Sequence, residues 1–225
     1  MNTKRTAIAL MIGLSYEVLL KLCHTFAPSV FEYSAIAAVS SILSFLVGVV
    51  LILFLLLFYK ENRSNQKVAG VSLSLVACFA LRFVLRLSVL RSLVGYETTR
   101  FTGDTLGFVI AVLLFLLVVW YRSCIPGERK SLKLAAEILA ALLAVALIPH
   151  IYSFIDYTHF MSSGTTTDFP PAIYQVMFVL FVLTHASAIY FLYRYAQSRP
   201  TPQPWVFLHT GILWRLDHWT QCFSL

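Results

Sequence analysis

The sequence predicts an all-α fold: a polytopic transmembrane helical bundle of about six spans with both termini cytoplasmic. Three observations carry that prediction. The 225 residues are 59% hydrophobic and only 12% charged, about half the charge of a soluble globular domain, and the mean hydropathy is +0.80. Six apolar segments each approach the roughly 20 residues a helix needs to cross the hydrocarbon core. Lys and Arg collect in alternate loops. Spanning strands are excluded because the ~10-residue alternating pattern of a barrel is absent, and helices satisfy every backbone polar group within lipid.

The first span is placed at 6–26, after Lys4 and Arg5. Its apolar run passes through Glu17 and Lys21 without a small-residue cleavage site, so it reads as a retained span and not a removed signal. Glu17 and Lys21 are four residues apart, in the order that favours a pair on one helix face, and His24 continues that face. The second span, 34–59, contains the uncharged run SFLVGVVLILFLLLFY. The third, 68–90, ends in LRFVLRLSVLR, where Arg82 and Arg86 share a face four residues apart and Arg91 marks the boundary. The fourth, 105–121, is again uncharged, as GFVIAVLLFLLVVWY.

The fifth span, 131–153, carries Glu137 one turn beyond Lys133, and the spacing predicts that the two pair. After Pro149 the stretch HIYSFIDYTHF reads as an aromatic belt at the membrane surface. His150, Asp156 and His159 fall within it, but no two His lie four apart on one helix, as a zinc-protease motif requires. No metal site is expected. The sixth span, 172–195, holds His185 in THASAIY. The small residues around it let helices approach closely, which predicts a hydrogen bond from His185 across a helix interface. Residues 197–225 then read as a Pro-rich linker, QSRPTPQP, followed by a short amphipathic segment lying on the membrane surface.

Orientation follows from the basic residues. Lys4, Arg5, Lys60, Arg63, Lys67, Arg122, Arg129, Lys130, Lys133, Arg194, Arg199 and Arg215 fall on one side of the six spans. The opposite side holds only Arg91 and Arg100, and its loops near 27–33 and 154–171 contain no Lys or Arg. By the positive-inside rule that basic side is cytoplasmic. The net charge of +7 is accounted for in this way and does not signal a nucleic-acid partner. Cys23, Cys78, Cys124 and Cys222 show no CxxC spacing and suggest neither a disulfide framework nor a zinc knuckle. No nucleophile elbow, phosphate-binding glycine loop or dinucleotide fingerprint is present, so no cofactor is expected. No internal repeat of the kind that marks many transporters is visible.

The charges inside the spans are the candidate site. An Arg at mid-helix costs at least ~2.5 kcal/mol on insertion scales, so Arg82 is expected to face protein, water or an anion, not lipid. Glu17 is at a similar depth and is the expected partner. Together Glu17, Lys21, His24, Arg82 and Arg86 are predicted to line an outward-facing polar cavity. Cations outnumber the acid there, and the planar guanidinium fork matches carboxylate and phosphate. The expected ligand is therefore a small anion or an anionic lipid headgroup, for transport or sensing. Two other classes fit the same residues: a membrane-embedded enzyme acting on a lipid, with His24, His150 or His159 and a carboxylate as acid and base, and an assembly subunit whose charged spans pair with a partner's membrane helices.

Overall fold

The computed structural model describes residues 2–27, 34–85, 96–163 and 171–199. Among these residues there are six long helices and no strand: α1 Thr3–Phe26, α2 Ser34–Glu61, α3 Gln66–Leu85, α4 Tyr96–Cys124, α5 Lys130–Ser163 and α6 Pro171–Ser198. Each contains a stretch long and apolar enough to cross a membrane, which is the build of a multi-pass membrane protein.

Local chemistry fixes the helix ends. Asn2 caps α1, its side chain accepting from the Lys4 amide at 3.0 Å. Asn65 caps α3 in the same manner, its Oδ1 accepting from the amides of Lys67 and Val68 at 3.1 and 3.2 Å. Each satisfies amides that the first helical turn leaves without partners. The short link before α3 is held by Asn62, whose amide and side chain both donate to the Phe58 carbonyl. Between α4 and α5 the chain turns at Pro126 and Gly127, and the Arg129 amide returns to the Pro126 carbonyl at 3.0 Å. Pro171 opens α6, where its missing N–H costs nothing.

The helices form a closed ring. Each packs on its neighbours in sequence, and α6 packs back on α1. Between 17% and 28% of each spanning window is buried inside the protein, and large apolar side chains such as Ile12, Leu19, Ile42 and Val176 point outward. A soluble bundle hides its apolar stripe in a core, whereas these helices are apolar all round and present that surface to lipid.

The core is lopsided. Ala7 and Leu10 on α1, Phe54, Leu55 and Phe58 on α2, Val68, Val71 and Leu75 on α3, Leu117 and Tyr121 on α4, Leu132, Ala135, Ala136 and Leu139 on α5, and Phe191, Leu192, Tyr195 and Ala196 on α6 belong to one cluster. These lie in the half of the ring that carries Thr3 and Ser198, here called the terminal end, and the cluster continues along α4 to Ile110 and Leu106. Aromatic rings fill its centre: Tyr195 is fully buried, with Phe54, Phe58, Tyr121 and Phe191 centred 4.9–6.3 Å from it or from one another.

Two helices are longer than the sequence pattern predicts. The fourth span is extended back to Tyr96, and the fifth continues through Pro149 to Ser163. The expected surface loop after Pro149 is thus helical. No Gly or Pro follows until Gly164, and a proline inside a spanning helix is tolerated where neighbouring groups compensate its missing donor. The 34 residues of α5 extend about 51 Å, well beyond a ~30 Å hydrocarbon core. The expected surface segment at 205–223, and the last residues of the third span with Arg86 and Arg91, lie outside the described residues.

Candidate functional site

The ionisable groups sort into the two ends of the ring. At the terminal end, Glu61 at the end of α2 accepts a hydrogen bond from the Thr3 hydroxyl of α1 and another from the Tyr195 hydroxyl of α6 at 2.7 Å. Arg199 pairs with the same carboxylate at 2.7 Å and also donates to the Tyr195 oxygen at 3.1 Å. Its guanidinium carbon lies 4.9 Å from the Tyr195 ring centre. Burial works against the Arg199 charge, but Tyr195 and Glu61 more than offset it and hold its pKa above the ordinary value. This network ties α1, α2 and α6 together over the aromatic cluster. It was not legible in the sequence, where Glu61 sits in a charged loop and Arg199 at the start of a proline-rich stretch.

Nearby, Glu137 pairs with Arg122 across α4 and α5 at 2.6 Å, not with Lys133 as the spacing predicts. The helical register points Glu137 at the neighbouring helix, where Nε and Nη2 of Arg122 both donate to its Oε1. With side chains 46% and 39% exposed, this pair contributes at most about 1 kcal/mol.

The other half of the ring holds a cavity of about 440 Å³ lined by Glu17 of α1, Ser44, Val47 and Gly48 of α2, Phe79, Arg82 and Phe83 of α3, and Phe181 and His185 of α6. Those four helices are consecutive around the ring. Two glycines set the packing around it: a Cβ at Gly48 would stand 2.4 Å from Phe83 Cζ, and one at Gly13 would stand 2.9 Å from a Val47 methyl. The first lets the Phe83 ring lie over α2 and the second brings α1 close to α2.

Of the predicted site residues, the structure brings Glu17 and Arg82 to this one cavity. Lys21 and His24 are exposed on α1 and are not among the lining residues, and Arg86 lies outside the described residues. The predicted Glu17–Lys21 pair is not formed: among the described residues Glu17 makes no ion pair with Lys21, and none with Arg82. Two charges of opposite sign therefore share a cavity wall without closing on each other.

His185 joins them, which its neighbours in sequence did not reveal. Its Nδ1 lies 2.8 Å from the Phe181 carbonyl one turn back on the same helix, and its ring packs on the Phe181 ring with centres 3.9 Å apart. The expected bond across a helix interface is thus replaced by one within α6. A carbonyl only accepts, so Nδ1 carries a proton, and in the neutral ring Nε2 is then the acceptor. The signal that could have located His185 is depth: it lies near the middle of its span, level with Glu17 and Arg82 in theirs.

A second cavity, of about 320 Å³, lies beside Pro149, Tyr152, Val176 and Met177. Its walls are apolar, and its lining residues include no Asp, Glu, Lys, Arg or His. Among the described residues no group of three His, Cys, Asp or Glu is placed to hold a metal; the side chains of His150, Asp156 and His159 are not among those described. Comparison with known proteins returns no matching family model, no matching curated protein and no matching solved structure.

Proposed function

We propose that this protein binds a small anion or an anionic lipid headgroup in the cavity of its helical ring, for transport or sensing, with the terminal end of the ring in the cytoplasm. The observation that carries this reading is the convergence of Glu17, Arg82 and His185, from three different helices, on one cavity of about 440 Å³. That volume is in the range of small-molecule sites. An ionisable residue inside a span is costly, and three meeting at one place is the pattern of a ligand or ion site. Arg82 is the group assigned to the anion. Lys21, one turn further along α1, adds positive potential on approach. The orientation rests on the basic residues of the terminal end, among them Arg63, Lys67, Arg122 and Lys130.

The test is thermal unfolding of the purified protein in neutral detergent against inorganic phosphate and, separately, against added phosphatidylglycerol. A ligand that binds only the folded state raises Tm in proportion to the logarithm of its concentration once above Kd. The rise is expected for at least one of the two, and is expected to be lost in Arg82→Gln. No rise with either would remove the reading.

A further inference from the structure

We propose that the ligand is a zwitterion: its anionic group sits on Arg82, and a cationic group sits against Glu17 within the phenylalanine wall. This rests on the reading of the cavity as a binding site and goes further in naming what occupies it. A simple anion answers only half of the lining. It would engage Arg82 and meet the Glu17 carboxylate on the same wall, a like charge that repels it. Glu17 has no ion pair with Lys21 or Arg82 among the described residues, so a cation arriving in the cavity displaces neither partner. The rest of the lining favours that cation as well. Phe79, Phe83 and Phe181 present aromatic surface, and ring faces attract ammonium groups. His185, with its Nδ1 committed to the Phe181 carbonyl, offers Nε2 as an acceptor whenever its ring is neutral.

The chemistry on offer is therefore one guanidinium for a phosphate or carboxylate, and one carboxylate with aromatic faces for an ammonium or quaternary ammonium. A molecule carrying both groups a few bonds apart matches it. Two sources supply such a molecule: a free zwitterionic solute, or the headgroup of a phosphatidylethanolamine-type lipid.

The experiment uses the full chain in neutral detergent and calorimetric titration with three probes: glycerophosphoethanolamine, glycerol phosphate and ethanolamine. Glycerophosphoethanolamine is expected to bind about tenfold or more tightly than glycerol phosphate, a difference of about 1.4 kcal/mol, with ethanolamine weaker than either. Glu17→Gln should abolish that preference by weakening the zwitterion while leaving or improving glycerol phosphate. Glu17→Asp, which keeps the charge, should retain the preference and shows that the loss is not a folding defect. Arg82→Gln should weaken both phosphates. If glycerol phosphate binds as tightly as its ethanolamine ester, and Glu17→Gln changes neither, the zwitterion proposal is overturned and the anion site stands. If no phosphate probe binds and Arg82→Gln has no effect, both fall. Repeating the titration in nanodiscs separates the sources. Binding in phosphatidylglycerol discs that is blocked in phosphatidylethanolamine discs assigns a lipid headgroup; binding in both assigns a free solute. Either result supports the proposal.

Discussion

Two carboxylates in this chain sit in opposite circumstances, and the difference is measurable. Glu61 accepts from Thr3, Tyr195 and Arg199, whereas Glu17 faces a cavity with Arg82 on its wall and no ion pair to it. Residues in direct contact give coupling energies of about 0.5–3 kcal/mol, and separated ones fall below that range. A double-mutant cycle on Glu61→Gln and Arg199→Gln, read by unfolding in detergent, should therefore show coupling above ~0.5 kcal/mol. The same cycle on Glu17→Gln and Arg82→Leu should be close to additive without ligand and should become coupled when the ligand is present. Tyr195→Phe tests the network from its buried side. It removes one hydroxyl that both donates to Glu61 and accepts from Arg199, and should cost about 1–2 kcal/mol. Additivity in the Glu61–Arg199 cycle would deny the network its role in closing the ring.

At the scale of elements, two glycines set how closely helices approach, and they should respond differently to the same change. A Cβ at Gly13 meets the branched carbons of Val47. Valine is stiff at χ1, so α1 and α2 must separate, and Gly13→Ala should lower stability by about 1–3 kcal/mol. A Cβ at Gly48 meets the far end of the Phe83 ring, which can swing. Gly48 and Phe83 both line the cavity, so Gly48→Ala should leave Tm nearly unchanged and weaken ligand binding. Parallel measurements of Tm and affinity on the two variants check this; equal loss of stability in both would mean that Phe83 is as fixed as Val47. The same scale explains α5. Apolar residues on both sides of Pro149 keep the chain helical through it, and the helix ends just before Gly164, where the sequence first offers a residue that favours termination.

For the whole molecule, the described helices form a ring with a packed terminal end and a cavity lined by α6, α1, α2 and α3 beyond it. Aromatic side chains and the Glu61–Arg199 network fill the terminal end, and the cavity occupies the half beyond it. Under the proposed reading of the cavity, orientation bears on which compartment supplies the ligand. Ser64 and Ser123 are exposed at the terminal end, and Ser162 is near the far end of α5. With the terminal end cytoplasmic, a membrane-impermeant thiol reagent applied to intact cells should label Ser162→Cys and spare Ser64→Cys and Ser123→Cys, in a background lacking native cysteines. Labelling of Ser123→Cys from outside would reverse the orientation.

The sequence by itself determined the spans and the presence of costly charges within them. Both are local properties: a run of about 20 apolar residues answers to the thickness of the bilayer, and an arginine in such a run is conspicuous wherever it folds. It also placed Glu17 and Arg82 at matching depth, because depth follows from counting along a helix at ~1.5 Å per residue. Partnership was decided only by the tertiary structure. Which side of a helix faces its neighbour depends on rotation about the axis, and helices that are apolar on all sides leave that rotation unmarked in the sequence. That is why Glu137 turned to Arg122 and not Lys133, why Lys21 and His24 fell on the exposed side of α1, and why His185 arrived beside Glu17 and Arg82. The packed terminal end has the same origin. Glu61 and Arg199 are 138 residues apart (199 − 61), and only the closing of α6 onto α1 brings them together.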